Sequence, residues 1–502
     1  MIRIVAKLFI PVVLVSPLLI CLAGCNVPLA PGYRVEKQSL DVHYLAGSPP
    51  RIAVRASFQL RNTGSAELSS LDAILPSHRT FATQDLRILL DNRTISAAPI
   101  ESPGAAETRG DDVQIPFDPP WRRKDTISLV FEYNLGPPPP GHGSIAVNEN
   151  SFHLNQGGWM PQLENPKKIF AHDIDRPDPE PVTFLVPADF SILSGGSPKG
   201  SKKRGDELEY RFRFGKSDLD PYAVAGRYLR QTIKASGTSV NFWSFNPIPE
   251  SNASATGIEL AHAMSVYAKN FGPLPNWPAS IWVVETPARL RSYAGTENES
   301  AARAFPGGVL LNREAFGAGV DSFPFLNLSE HALAHSWFGE EILLRPEAQL
   351  GMGEGFAQYA PIVLDESRGG AAARRKVVVY LIHEYDDARV KAVEKPLRAL
   401  TEGDPWEQRR FAYTKGPLFF IALEDKCGEA GARKGIAHMI QTLRGQIAGY
   451  DTLRSALELE TGQDLGAFFR TWLDEKGLPE ESGEEKGNRR LATCRDGLRN
   501  CD

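Results

Sequence analysis

Two histidines, His331 and His335, stand four residues apart in the second half of the chain. In an α-helix, residues i and i+4 project from the same face, so both imidazoles can direct a nitrogen at one metal ion. A carboxylate from a second helix would complete a set of three protein ligands and leave the fourth position of a tetrahedral zinc to water, as in catalytic zinc sites. Taken alone, this spacing is also compatible with ordinary core or surface positions of a helix.

The residues around the two histidines resemble the M1 family of zinc aminopeptidases. Residues 330–339 read Glu-His-Ala-Leu-Ala-His-Ser-Trp-Phe-Gly, and residues 353–357 read Gly-Glu-Gly-Phe-Ala. The family pattern is H-E-x-x-H-x-W-F-G, followed after eighteen intervening residues by E-G-F-A, and this chain keeps that spacing. The resemblance implies that His331, His335 and Glu354 hold one zinc ion per chain.

The family's general base is missing, because Ala332 stands where the pattern has its glutamate. Zinc would still lower the pKa of a bound water to about 7 and polarise a carbonyl. The missing group takes the water's proton and passes it to the leaving amine, a contribution of about 10²–10⁴-fold. Glu330 lies about 200° around the helix axis from position 332. We therefore interpret Glu330 as a helix N-terminal carboxylate rather than a substitute base.

Two further segments resemble family motifs that contact substrate. Residues 413–416, Tyr-Thr-Lys-Gly, are similar to the family's Y-E-K-G segment. There the tyrosine hydroxyl stabilises the tetrahedral oxyanion, which makes Tyr413 the candidate for that role. Residues 294–298 are a degenerate counterpart of the G-x-M-E-N loop, whose glutamate binds a free α-amino group. Glu297 is then a substrate-binding candidate or a surface loop residue, since residues 305–309 also resemble the segment that follows that loop.

The helix expected after Glu354 carries two more features. Gln358, one turn after Glu354, is a candidate to hydrogen-bond a ligating histidine, with a helix-surface position as the alternative. Pro361 predicts a kink or an end in the same helix.

The first residues predict export. Arg3 and Lys7 precede an apolar run over residues 8–23, which is typical of a secretory signal and shorter than the roughly 20 residues that span a bilayer. The run ends in Leu-Ala-Gly-Cys, which resembles a bacterial lipobox, and cleavage there would leave Cys25 as a lipidated N-terminus. We expect a signal peptide over 1–24, a linker over 25–32 and an exported lipoprotein of the cell envelope, with the periplasmic face of the outer membrane as its candidate location.

Composition and patterning divide the rest of the chain. Its 502 residues, 42% hydrophobic and 23% charged, are those of a globular protein with two or three domains. The net charge of −5 without a basic run argues against a nucleic-acid partner. A two-residue alternation, clearest at Ile52, Val54, Ala56, Phe58 and Leu60, predicts an antiparallel β-sandwich-like domain over 33–230.

A longer period follows and favours helices. Leu260, Met264, Tyr267 and Phe271 share one helix face, ended by Gly272, and residues 281–284 predict a buried strand. The resemblance implies a thermolysin-like, mainly helical zinc-binding domain over 231–480. Residues 481–502 are expected to form a flexible tail.

The cysteines of that tail agree with export. Cys494 and Cys501 are close enough in sequence to close a small disulfide loop, which an oxidising compartment permits.

Together these features predict a membrane-anchored, M1-like homologue that binds zinc and peptides or protein N-termini. Hydrolysis is expected to be weak or lost because of Ala332. Two alternatives stay open: an active zinc aminopeptidase that uses another base, and a structural envelope module in which zinc serves stability.

Overall fold

A computed structural model of the chain describes the following residues: 32–76, 83–99, 111–137, 145–154, 159–163, 180–214, 222–274, 280–286, 290–291, 299–300, 302–305, 307–312, 328–401 and 404–479. The signal segment with Cys25, Glu297, and the tail with Cys494 and Cys501 lie outside these residues. In the part of the chain that the structure describes, no helix is both long and apolar enough to cross a membrane.

The first half of the chain forms three β-sheets around one apolar core. An eight-stranded sheet has the order β14-β15-β12-β1-β2-β8-β4-β5, and two four-stranded sheets have the orders β13-β16-β10-β9 and β11-β3-β7-β6. The strands are β1 Tyr33–Leu45, β2 Arg51–Asn62, β3 Leu68–Leu75, β4 Thr83–Leu90, β5 Arg93–Ile95, β6 Ala98–Pro99, β7 Asp111–Trp121, β8 Thr126–Leu135, β9 Ile145–Asn148, β10 Ser151–Leu154, β11 Gln162–Leu163, β12 Glu180–Pro187, β13 Ser191–Ser194, β14 Ser197–Arg204, β15 Glu207–Phe214 and β16 Ala223–Gly226.

The alternation in the sequence explains this arrangement. In β2 every second residue from Ile52 to Leu60 is buried, and the intervening residues face outward. Such a period of two is what a strand needs to cover a core on one face and meet water on the other. The predicted β domain is therefore confirmed. Most of its strand pairs are antiparallel, but β1 and β12 pair in parallel, which the alternation alone does not reveal.

The second half combines a five-stranded sheet with helices. The sheet has the order β17-β18-β19-β23-β22; its three central strands are parallel, and both edge strands are antiparallel to their neighbours. The strands of this sheet are β17 Leu229–Ala235, β18 Thr238–Ser244, β19 Ser280–Thr286, β22 Ala302–Phe305 and β23 Gly308–Asn312. Two pairs of short strands form separate sheets: β20 Leu290–Arg291 with β21 Glu299–Ser300, and β24 Leu343–Leu344 with β25 Ile447–Ala448. The main helices are α1 Glu250–Phe271, α2 Leu328–Ala334, α3 Gly355–Lys391, α4 Trp406–Cys427, α5 Glu429–Thr442, α6 Tyr450–Thr461 and α7 Gly466–Asp474. Shorter helical segments are Pro346–Ala348, the π-helical turn Gln349–Glu354 and the 3₁₀ turn Leu397–Ala399.

The predicted helix and strand of this half are confirmed, and the helix that contains Pro361 does not end at that residue. Helix α1 ends at Phe271, after which Gly272 takes a φ of 89° that a residue with a Cβ rarely adopts. Helix α3 continues through Pro361, and its non-helical backbone angles fall at Gly370, with φ 67° and ψ −163°. Glycine reaches that conformation without a Cβ clash, so the helix bends there.

The two halves meet through a small apolar cluster. Tyr222 and Val224 from the β domain pack against Trp243, Val284 and Phe305 of the five-stranded sheet. The ring centroids of Tyr222 and Phe305 are 5.6 Å apart. The β domain therefore buttresses the edge strand β22, which lies beside helix α2.

Candidate metal centre

Two short helical elements carry the histidines and the carboxylate. His331 lies in α2, and His335 follows directly after its end. Glu354 is the last residue of the π-helical turn that leads into α3. Such turns are rare and occur frequently at functional sites. Gly351 allows this one to form, because a Cβ there would overlap the Tyr450 hydroxyl.

The three predicted ligands converge. The Nε2 atoms of His331 and His335 are 3.2 Å apart. Glu354 Oε2 lies 3.3 Å from the first and 3.4 Å from the second. Ligands at zinc–donor distances of 2.0–2.1 Å in a tetrahedron are separated by about 3.3 Å, so the triangle has the dimensions of one zinc coordination face. Among the described residues, no other group of histidine, cysteine and acidic side chains offers such a site.

The electrostatics of the triangle also fit a metal. Burial raises the pKa of Glu354, but the two imidazoles outweigh it and hold that pKa well below its usual range. Burial lowers the pKa of His331. Burial acts in the same direction on His335, but the Glu354 carboxylate outweighs it and raises the pKa of that imidazole. An ionised carboxylate and a neutral imidazole are the forms that bind a metal ion, so the pKa shifts of Glu354 and His331 favour metal binding, whereas the raised pKa of His335 reflects its contact with the Glu354 carboxylate.

The second nitrogen of each histidine has a different environment. His335 Nδ1 lies 3.3 Å from the carbonyl oxygen of Phe338, a suitable acceptor for an Nδ1–H that fixes the ring. His331 Nδ1 is buried without a hydrogen-bond partner among the described residues. Gln358 Oε1 is likewise buried and unpartnered there, so the hydrogen bond expected from Gln358 to a ligand is not formed. A backbone carbonyl, rather than Gln358, orients the metal-binding ring.

Ala332 and Glu330 occupy distinct environments on α2. Ala332 is 2% exposed and belongs to the apolar core. Glu330 is also buried, and its Oε1 accepts a hydrogen bond of 2.7 Å from Arg368 Nη2. Arg368 pairs with Glu259 of α1 and Asp365 of α3 as well. Burial raises the pKa of Glu330 to about 7, although Arg368 acts against that shift.

Glu330 thus joins α2 to α1 and α3 through Arg368. The sequence interpretation of a helix N-terminal carboxylate holds for its place in the first turn of α2. It missed the buried ion pair, because Arg368 is 38 residues away and no local pattern connects the two.

Tyr413 lies beside the metal triangle. Its ring centroid is 6.3 Å from that of His331, with an angle of 24° between the ring planes. The ring centroid of Trp406, about two turns earlier on α4, is 5.5 Å from that of Tyr413. The structure therefore places the Tyr413 ring against His331, one of the three residues of the triangle.

A crossing of two glycines sets the separation between Glu354 and Tyr413. Gly355 follows Glu354 at the start of α3, and Gly416 lies one turn after Tyr413 in α4. A Cβ on Gly416 would lie 2.7 Å from Gly355 Cα, and a Cβ on Gly355 would lie 2.9 Å from Gly416 Cα. Because the obstructing atoms belong to the backbone, a side chain at either glycine would push helices α3 and α4 apart.

The lysine of the same segment has a structural role. Lys415 is fully buried, and its Nζ donates to Glu394 Oε1 at 3.2 Å and to the Glu475 carbonyl at 2.7 Å. Glu394 also accepts from the backbone N–H of Gly477. Lys415 therefore fastens α4 to the chain that follows α7.

Gly416→Ala is expected to lower the free energy of unfolding by about 1–3 kcal/mol, the usual cost of overpacking. It should also weaken zinc binding, because the separating helices carry Glu354 and Tyr413. Urea denaturation and competition with a chelator measure the two effects. Gly431→Ala is the matched control, since its Cβ would meet a Thr461 methyl at 3.1 Å rather than backbone. Equal zinc affinity in both variants would contradict the role of the crossing.

The part of the chain that carries the triangle is similar to known proteins. Residues 261–472 match the peptidase family M1 domain. The chain is 24% identical over 163 residues to aminopeptidase N of Lactobacillus delbrueckii subsp. lactis. It is 22% identical over 241 residues to a probable aminopeptidase 1 of Saccharolobus solfataricus. These alignments cover 30% and 44% of this chain, but only 18% and 28% of the two relatives.

Solved structures share the fold over most of the chain. An M1 zinc metallopeptidase from Deinococcus radiodurans matches with a TM-score of 0.61 and 19% identity, covering 90% of this chain and 96% of that chain. A glutamate-to-alanine mutant of an M1 zinc metallopeptidase from the same organism, bound to a Tyr-Ser-Ala substrate, matches with a TM-score of 0.58, 19% identity and the same two coverages. Legionella pneumophila aminopeptidase A in complex with aspartic acid matches at 0.63 with 15% identity, covering 89% of this chain and 50% of that chain.

Proposed function

We propose that this chain, which carries a peptidase family M1 domain, is a zinc-dependent peptide-binding protein of the cell envelope in which hydrolysis is weak or lost. The observation that supports this most strongly is the combination of a zinc-sized donor triangle with Ala332 in the helix that carries His331. In this proposal the three metal ligands are all present, but the methyl side chain of Ala332 stands in place of the carboxylate that would transfer a proton.

The chemistry follows from the residues around the triangle. Zinc, when held by His331, His335 and Glu354, supplies a Lewis acid for a carbonyl oxygen. Tyr413 is placed to donate its hydroxyl hydrogen to that same oxygen. Ala332 cannot accept a proton from water or deliver one to a leaving amine, and Glu330 is engaged with Arg368. The peptide is therefore held and polarised without the proton transfers that cleavage requires.

The solved relatives give this proposal a parallel. The Deinococcus radiodurans metallopeptidase with a glutamate-to-alanine substitution was captured with a Tyr-Ser-Ala substrate. An alanine in place of a glutamate is thus compatible with peptide binding in that protein. We infer the same class of ligand here, a short peptide or an exposed protein N-terminus.

We further propose that the protein acts at a membrane surface. The signal-like segment ending at Cys25 supports a lipid-tethered N-terminus, and residues 26–32 would link the anchor to β1. Two acyl signals are needed for stable anchoring, which lipidation of an exported cysteine can provide. Membrane fractionation with a Cys25→Ser control tests this part: the variant should leave the membrane fraction.

The experiment that tests the peptide proposal compares zinc-loaded and chelator-treated protein with the tripeptide Tyr-Ser-Ala. At a peptide concentration of 100 Kd, binding should stabilise the zinc-loaded protein by about 2.7 kcal/mol and raise its melting temperature. The chelated protein should show no such shift, and no amino acid should be released. A large loss of melting temperature on chelation without any peptide effect would instead indicate a structural zinc.

The second candidate is an active zinc aminopeptidase. The complete ligand triangle and the adjacent Tyr413 favour it, since both would serve catalysis directly. Chelator-sensitive release of amino acids from the same tripeptide would establish this function and overturn the first.

A further inference from the structure

Trp406 is an exposed aromatic residue at the first turn of α4, with 39% of its surface accessible. A single exposed apolar side chain needs no special explanation. Trp406 differs from an isolated one because its indole packs against Tyr413, the residue beside the metal triangle.

The three rings form a series that leads from solvent to the candidate metal site. The Trp406 and Tyr413 centroids are 5.5 Å apart with planes inclined by 53°. The Tyr413 and His331 centroids are 6.3 Å apart and nearly parallel. Residues 406 and 413 are seven positions apart, which is close to two helical turns, so both side chains leave the same face of α4.

A buried arginine lies beside the indole. Arg409 is 4% exposed, and its guanidinium carbon lies 6.0 Å from the Trp406 ring centroid. A cation at this distance is attracted to the face of a tryptophan ring. Arg409 and Tyr413 both lie beside the indole, and its exposed part is an apolar surface next to Tyr413.

We propose that Trp406 forms the wall of a subsite that accepts an aromatic or large aliphatic side chain of the bound peptide. This inference rests on the proposed peptide-binding function. An extended peptide advances about 3.5 Å per residue, so a tripeptide spans about 10 Å. That length is of the same order as the two ring-to-ring steps, 5.5 Å and 6.3 Å, that separate the indole from His331. Aromatic side chains present a flat apolar face and gain from ring packing beyond their buried area.

The test uses the zinc-loaded full chain and four tripeptides: Ala-Ala-Ala, and its three variants with phenylalanine at the first, second or third position. Calorimetry measures the dissociation constant of each. At least one phenylalanine peptide should bind about tenfold more tightly than Ala-Ala-Ala, the order expected for one aromatic contact. Trp406→Ala should abolish that difference, and Trp406→Phe should retain it.

The control is Leu459→Ala, which removes another exposed apolar side chain from a different helix and should leave every constant unchanged. A phenylalanine preference that persists in Trp406→Ala, or its absence from the natural protein, would overturn the subsite while leaving peptide binding in place. Failure of all four peptides to bind in the presence of zinc would remove both the subsite and the proposed function.

Discussion

Ala332→Glu is expected to raise the rate of peptide hydrolysis by the zinc-loaded protein by about 10²–10⁴-fold, the usual contribution of a general acid–base group. The substitution places a carboxylate between two residues, His331 and His335, whose imidazoles already meet at the candidate metal site. The Tyr413 ring packs against His331. The variant would therefore supply the one proton-transfer group that the site lacks.

Release of amino acids from short peptides, with and without a chelator, measures this gain. Ala332→Gln is the matched control, because glutamine has nearly the same shape and cannot accept the proton. The glutamine variant should remain as inactive as the natural protein. If the natural protein already cleaves peptides at the rate of Ala332→Glu, another group performs the proton transfer, and the proposal of weak or lost hydrolysis is wrong.

The substitution at position 332 is also expected to lower the stability of the protein, and this effect can be measured separately from catalysis. Ala332 is buried in the apolar core, and a carboxylate there loses hydration unless it meets the metal or a bound water. Stability of the variant should consequently depend on zinc more strongly than that of the natural protein. Melting temperatures measured with and without zinc give this comparison.

The sequence predicted the parts of the fold and site that depend on local spacing. The alternation in β2 and the apolar stripe of α1 each follow from one periodicity, and both are present. The convergence of His331, His335 and Glu354 required the motif resemblance in addition, since two distant segments must meet. Trp406 could have been found from its spacing to Tyr413, because seven residues return a helix to nearly the same face.

The contacts that the sequence did not predict join residues far apart in the chain. Two ion pairs have partners set by helix packing rather than by any local pattern: the partly buried pair of Arg368 with Glu330, and the buried pair of Lys415 with Glu394. The prediction for Gln358 failed for the same reason. Its spacing from Glu354 along the helix was correct, but the packing leaves Gln358 Oε1 without a hydrogen bond to a candidate ligand.

Glu424→Gln is expected to lower the free energy of unfolding by about 3–5 kcal/mol, the cost of removing one member of a buried ionic cluster. Glu424 on α4 is fully buried and pairs with Arg374 of α3. It also accepts from Arg433 Nε of α5 at 2.7 Å and from the Tyr359 hydroxyl of α3 at 2.6 Å. Neutralising it leaves two guanidinium groups with less compensating charge in a region that water does not reach.

Glu429→Gln provides the matched control. Glu429 binds the same arginine, Arg433, at 2.7 Å, but it is 44% exposed and lies one turn away on the same helix. Exposed pairs of this kind contribute about 0–1 kcal/mol, so the control should unfold almost as the natural protein does. Urea denaturation of the two variants, followed through the unfolding transition in which zinc is released, compares their free energies of unfolding. Equal small losses would show that the cluster reorganises around the missing charge.

The cluster also bears on the metal site through α3. Tyr359, which donates to Glu424, lies little more than one turn after Glu354 on the same continuous helix. Loosening α3 from α4 at Glu424 would relax the helix that follows Glu354, even though no member of the cluster is a candidate ligand. We therefore expect Glu424→Gln to weaken zinc binding as well as stability, whereas Glu429→Gln leaves zinc binding unchanged. Chelator competition on the two folded variants measures this difference, and equal zinc affinities would confine the cluster to a purely structural role.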